Sequence, residues 1–224
     1  ILSIVTGTMD RPDAYRRMAR SVAENTGVPW ELVVADASSP AVEYVTPPAV
    51  RLIERPRLGH VAGYNRAFRA TRGRWVCWLN DDAEVYPGWA NRAIEFMDRH
   101  RGIGLGALAY DQEPARDCIQ NYMGIDYANF GIIRRELGDA LGWFDECCWM
   151  YGGDNSLTYR VLLSGNGVAP IRPAFLRHSP FQDKHRPGNE ARQAGDAESL
   201  GNRYNERLPQ MRETYARRLA EVKP

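Results

Sequence analysis

The sequence predicts an α/β fold in which a mostly parallel central sheet is flanked by helices and followed by a helical C-terminal tail. Three observations carry that expectation. Short apolar runs without room for a helix alternate with stretches of helical apolar period, the pattern of a parallel sheet covered on both faces. Gly and Pro punctuate the changeovers, at Gly27-Val28-Pro29, Pro56 to Gly59, Gly73 and Pro87-Gly88. Two of the apolar runs end abruptly in polar residues, at Asp36 and at Asn80-Asp81-Asp82, and in an open α/β sheet that end is where ligands bind.

Taken in order, Ile1 to Thr6 reads as a buried strand, and Asp10 or Pro12 opens a helix with Tyr15, Met18, Ala19 and Val22 on its apolar face. Trp30 to Ala35 is the second strand and Val50 to Ile53 the third. His60 to Arg72 reads as a helix with Ala62, Ala67, Phe68 and Ala70 inward, ended by Gly73. The run from Arg74 to Leu79 is too short for anything but a buried strand. Trp89 to Arg99 is an amphipathic helix, Ile103 to Ala109 a strand, Asp111 to Met123 a loop, and Tyr127 to Ile133 a strand. An aromatic-rich loop, Trp143 to Tyr151, leads through Gly152-Gly153-Asp154-Asn155 into a helix from Ser156 to Ser164. Val168 to Arg177 holds two prolines, which confines it to an edge strand or an extended segment. From Phe181 the chain is polar and arginine-rich, with helical period from Leu200 to Val222.

At 224 residues, 44% hydrophobic and 25% charged, the composition is that of a globular protein. A net charge of +1 gives no global field to draw in nucleic acid or an anionic membrane. No apolar stretch approaches the roughly 20 residues that span a bilayer, so no integral membrane segment is expected. The first residues lack the basic start and cleavage site of a signal peptide. Cys77, Cys118, Cys147 and Cys148 show no C-x-x-C spacing, which argues against a zinc site or disulfide framework and for a reducing cytoplasm. The basic tail leaves a position peripheral to a membrane open.

The stretch from Arg74 to Val85 organises the chain. Two adjacent carboxylates, Asp81 and Asp82, with the Asn80 amide beside them suit a hard divalent cation that shares its oxygen ligands with a diphosphate. The same three residues also favour a plain turn. Asp154 just before a helix suits both a reactive carboxylate and a helix N-cap, and Asp36 ahead of Ser38-Ser39-Pro40 suits a turn as well as a ligand contact.

The order of motifs resembles the family 2 glycosyltransferases, over residues 1 to about 178. The matching features are Thr6-Gly7-Thr8 with Arg11-Pro12, Asp36 followed by Ser38-Ser39, and Gly63-Tyr64-Asn65-Arg66-Ala67-Phe68. Next come Gly73 through Asp82, then Arg134-Arg135-Glu136 with Gly142-Trp143-Phe144-Asp145. Last are Gly153-Asp154 ahead of Leu157, Arg160 and Gly165, and a late His178.

That resemblance implies the GT-A fold and an inverting, non-processive transfer of one sugar from a nucleotide-diphosphate sugar (UDP-, GDP- or dTDP-linked) to an acceptor hydroxyl. It implies one domain over 1–180, with a nucleotide-sugar half at about 1–100 and an acceptor half at about 101–180; the basic, largely helical extension over 181–224 falls outside the resemblance. By the family's motifs, Asp154 is the general base and Asp82 with His178 holds a divalent cation, Mn²⁺ or Mg²⁺. The imidazole favours Mn²⁺. The nucleotide sugar falls to Thr6, Thr8, Arg11, Asp36, Asn65, Arg66, Asn80 and Asp81. Trp149 and Tyr151 are expected on the acceptor side, where aromatic faces can stack on sugar rings, whereas Trp143 and Phe144 are expected to pack inward. The chain departs from the pattern at Asn80, where the family has Asp, and at Gly153, where it has an acid. Those departures keep open a catalytically silent nucleotide-sugar-binding or scaffold protein. A sugar nucleotidyltransferase fits less well, because the loop after the first strand has one glycine and no lysine. Neither the acceptor nor the sugar is specified, and a nucleic acid or lipid-linked acceptor stays open.

Overall fold

A computed structural model of the chain describes residues 1–42, 49–180 and 184–222, the side chain of Arg186 apart. The start of the polar tail, at 181–183, lies outside the described residues. The first half runs β1 (Leu2–Thr8), α1 (Pro12–Asn25), β2 (Trp30–Asp36), β3 (Ala49–Ile53), α2 (His60–Arg69), β4 (Trp75–Trp78), β5 (Ala83–Val85) and α3 (Trp89–Arg99). The second half runs β6 (Ile103–Gln112), β7 (Ala115–Cys118), β8 (Gln120–Tyr122), β9 (Ile125–Tyr127), β10 (Gly131–Arg134), α4 (Arg135–Leu141), α5 (Gly153–Leu163) and β11 (Gly167–His178). The tail forms α6 (Arg186–Glu190), α7 (Gln193–Tyr204) and α8 (Leu208–Ala220).

One sheet carries the molecule, in the order β3-β2-β1-β4-β10-β6-β11-β5, with β7 beside β6. The first four of these strands are mutually parallel. β10 runs antiparallel to both β4 and β6, so the α/β architecture holds while the sheet becomes mixed in its second half. Side chains alternate across a strand, and the alternation here builds two cores. On one face Ile4, Leu32, Val34 and Cys77 meet α1 and α3 through Met18, Val22, Trp89 and Met97. On the other, Val5, Val33, Val76 and Trp78 meet α2, α5 and the tail through Tyr64, Phe68, Leu157, Leu200 and Met211.

Four expectations need correction. α2 stops at Arg69, and Val61, Tyr64 and Asn65 join Ala67 and Phe68 in the buried set while Ala62 and Ala70 are only half-buried. The Asp111–Met123 loop is instead the end of β6, then β7 and β8. Those short hairpin strands are polar on both faces, so they lack the alternation that reveals a strand. The Tyr127–Ile133 strand divides into β9 and β10. β11 is paired along β6 and, only over Leu176–His178, with β5. Pro173 falls inside its register shift between Ile171 and Leu176, where a strand tolerates a missing donor.

Candidate active site

Sheet connectivity brings the central acids to a histidine far along the chain. After β4 the backbone turns through residues 79–82 and joins the far edge of the sheet as β5, whose Ala83 stands opposite His178 of β11. The Ser179 N–H donates to the Asp82 carbonyl at 3.0 Å. Asp82 and His178 therefore meet, with 3.3 Å between Oδ1 and Nε2. β11 lies parallel to β6, which sets Gln112 Oε1 2.8 Å from His178 Nδ1. That oxygen only accepts, so Nδ1 carries the proton and Nε2 is the nitrogen turned to Asp82.

The end of β1 meets the same acids. Thr8 Oγ1 donates to Asp81 Oδ2 at 2.9 Å, and the Arg11 guanidinium spans Asp81 Oδ1 at 3.0 Å and Asp82 Oδ2 at 2.6 Å. Burial alone would raise the Asp82 carboxyl, but the hydrogen bond and charge of His178, and then those of Arg11, hold it below its ordinary value.

Asp154 stands in the first turn of α5, after Gly152, whose φ of 90° suits only glycine. A Cβ on Gly153 would fall 2.6 Å from the Phe144 ring, so a side chain at that position would require the ring to shift. The Asp154 carboxyl accepts the Asn155 N–H at 2.9 Å. Burial pushes it up to about 6, opposed by the N–H groups of Asn155 and of Asp154 itself. The loop before it is pinned from both sides. Asp196 on α7 accepts the N–H groups of Trp149, Met150 and Tyr151 at 2.7, 2.9 and 2.9 Å. Asp145 accepts the Tyr204 hydroxyl at 2.7 Å and the Cys147 N–H at 3.1 Å.

Asp82, His178 and Asp154 open on one cleft of about 430 Å³, together with Thr8, Arg11, Asn80, Asp81 and Tyr151. The other expected residues stand outside its lining. Thr6 is fully buried. Asp36 is also fully buried, its carboxylate accepting the N–H groups of Ser38 and Val42 at 2.9 and 2.8 Å. Asn65 staples α2 to the loop, exchanging hydrogen bonds with the Phe144 backbone at 2.9 and 3.0 Å. Arg66 is exposed and donates to the Ile53 carbonyl at 2.7 Å. Trp149 lies between the guanidinium groups of Arg57 and Arg192, 4.6 and 4.0 Å from its ring centroid.

The cleft also exposes residues that the sequence reading leaves without a role. Glu54, at the end of β3, lines it although the residue is only 3% exposed. Burial raises its carboxyl against the pull of Arg66 and Arg57, and Oε1 has no hydrogen-bond partner. Its position after a strand is the signal that could have found it. His60 opens α2, and burial together with the Arg57 charge pushes its imidazole down to about 4. His185, in the tail, closes one side by pairing with Asp10 at 2.9 Å. Among the described residues no group of three His, Cys, Asp or Glu side chains gathers to hold a metal. The donor set does fit an ion that also binds a diphosphate: Asp82 gives a carboxylate, and Gln112 orients the His178 ring with Nε2 toward the same point.

The sequence model described as glycosyl transferase family 2 matches residues 3–157. The O-antigen biosynthesis protein RfbC of Myxococcus xanthus is 24% identical over 218 aligned residues, covering 79% of this chain and 17% of that protein. The succinoglycan biosynthesis protein ExoO of Rhizobium meliloti (strain 1021) is 33% identical over 103 residues, covering 43% and 30%. The chain thus spans less than a third of either curated relative's length. Among solved structures, S. aureus TarS 1–349 in complex with UDP-GlcNAc superposes with a TM-score of 0.63 at 14% identity, over 83% of this chain and 60% of that one. The mannosyltransferase PcManGT from Pyrobaculum calidifontis, in complex with GDP-Man and Mn²⁺, gives 0.62 at 16% identity, over 99% and 74%. No helix among the described residues is long and apolar enough to cross a membrane.

Proposed function

The chain belongs to glycosyl transferase family 2 and has the GT-A fold, and we propose that it transfers one sugar from a nucleotide-diphosphate donor to an acceptor hydroxyl with inversion at the anomeric carbon. The observation that carries this reading is the single cleft shared by Asp154 and the Asp82–His178 pair. Inversion needs a base on one side of the sugar and charge neutralisation on the other, and the cleft offers a group for each.

In this reading Asp154 takes the proton from the acceptor hydroxyl. As it does so, the oxygen bonds to the anomeric carbon and the bond from that carbon to the diphosphate breaks, its electrons leaving on the diphosphate. A carboxyl raised to about 6 is a base matched to neutral pH, and the N-terminus of α5 supports the charge it carries when ionised. Asp82 and His178 would hold a divalent cation on the diphosphate, Arg11 adds fixed positive charge beside them, and Gln112 orients the imidazole. Bound there, such an ion supplies Lewis-acid stabilisation of the departing diphosphate. The nucleotide-bound structures of TarS and PcManGT support a nucleotide-sugar donor, and PcManGT's Mn²⁺ supports the ion. A polysaccharide-building role agrees with the names of RfbC and ExoO.

The test is product stereochemistry. NMR of the product formed from an α-linked nucleotide sugar should show a β-glycoside. The Asp154→Asn variant should lose about 10²–10⁴-fold in turnover, the usual worth of a general base, while keeping nucleotide binding. A retained anomeric configuration, or unchanged turnover in the variant, refutes the reading.

A further inference from the structure

A second hollow, of about 200 Å³, adjoins the cleft across Tyr151 and Gly152, which line both. Asp154 and Asn155 stand at the boundary, the first in the cleft and the second in the hollow. Four tyrosines form its walls, Tyr122 and Tyr127 from the β8–β9 hairpin, Tyr151, and Tyr159 of α5. Asn121, Asn155, Gln193 and Asn205 also line it, the Asn121 amide already bonded to Asp126 and to the Gly124 N–H. The far wall is α7, where Gln193, Ala197, Leu200 and Gly201 fall on one helical face.

Among the described residues no Lys or Arg lines this hollow. Its one charged residue, Asp196, already accepts the three backbone N–H groups of Trp149, Met150 and Tyr151. A phosphate placed there would lose its water without gaining a cation, which is costly. Aromatic faces among neutral amides match a ligand with apolar C–H surfaces and a rim of uncharged hydroxyls. Among the described residues no basic side chain of the tail lines it, although α7 builds its wall. Burial raises the Tyr127 and Tyr159 hydroxyls, with a smaller contribution from the charge of Asp154.

We propose that this hollow is the acceptor subsite and takes a neutral sugar ring, the terminal residue of a glycan, rather than the phosphate of a lipid carrier. The proposal rests on the transferase reading above for its role, but not for its binding. The ring stacks on tyrosine, the amides bind its hydroxyls, and one hydroxyl is directed past Tyr151 and Gly152 toward Asp154.

The test is saturation-transfer NMR with the p-nitrophenyl glycosides of glucose, galactose, mannose and N-acetylglucosamine, and separately with a detergent-solubilised polyprenyl phosphate. At least one glycoside should receive saturation chiefly on its sugar protons. Ala197→Phe should abolish that signal by filling the hollow from an exposed helix position, while the thermal shift given by the bound nucleotide persists and reports an intact fold. The proposal is overturned if no glycoside binds, if binding survives Ala197→Phe, or if only the polyprenyl phosphate binds. If a glycoside binds in this manner and no nucleotide stabilises the protein, the sugar subsite stands and the donor reading fails.

Discussion

A base that must be ionised gives a pH profile with a predictable sign. With the Asp154 carboxyl at about 6, kcat/KM should fall tenfold per pH unit below about pH 6 and level off above it. An acid limb near the ordinary carboxyl value of 3.8 would contradict the assignment. The same shift has a stability consequence. A carboxyl whose folded value is raised favours the protonated fold, so its contribution is present below the unfolded value and lost as pH rises through about 6. Asp154→Asn should therefore melt no lower than the wild type at pH 7.5, with the difference closing toward pH 4, as differential scanning fluorimetry would measure. Site residues are the scale at which the sequence is most uneven. Asp81, Asp82 and Asp154 are legible, because an acid closing an apolar run or opening a helix is a local signal. Where the Asp36 carboxylate points is not legible, because that depends on Ser38 and Val42 folding back to donate to it. Glu54 is hidden by its setting, a strand end followed at once by Arg55-Pro56, where a turn residue is no surprise.

Elements decide what those residues can do, and α7 is the clearest case. Asp196 is mostly buried, and replacing it by Ala removes the acceptor of three backbone N–H groups at once. Each buried donor left without a partner costs about 1–3 kcal/mol. Partial rescue by water should leave a net loss of roughly 2–4 kcal/mol in urea unfolding. In the folded variant, kcat should drop while nucleotide affinity holds, because the loop that loses its anchor leads into Asp154. A loss confined to nucleotide affinity would contradict this. Met211 on α8 is fully buried in the second core, so Met211→Ala should cost about 2–5 kcal/mol, and a cost near zero would show that α8 does not pack there. The helical period of the tail is visible in sequence. What its stripe of Leu200, Tyr204, Leu208 and Met211 meets is not, since the partners lie in α5 and in the sheet. The β7 to β9 hairpins are illegible for a different reason: their pairing is set by neighbouring strands and not by apolar alternation.

At the scale of the whole molecule, the mixed sheet is what makes the site. β5 leaves the Asn80-Asp81-Asp82 turn for the opposite edge of the sheet, and that excursion carries His178 to Asp82 from almost a hundred residues away. The parallel half of the sheet follows from the alternation of apolar runs and helices, whereas the antiparallel insertion of β10 is a long-range choice that no local window reveals. The central claim is that this convergence binds a nucleoside diphosphate through a metal ion. It is tested most directly by thermal unfolding against UDP, GDP, dTDP and CDP, each with Mn²⁺, Mg²⁺ or EDTA. A ligand at 100 times its Kd adds about 2.7 kcal/mol, and a chain of this size gains about 2–4 °C per kcal/mol. The account predicts that one nucleotide raises the Tm by several degrees only when metal is present, and that Asp82→Ala loses the shift. Equal stabilisation in EDTA would contradict the metal role of Asp82 and His178, and the absence of any shift with all four nucleotides would contradict the donor cleft itself.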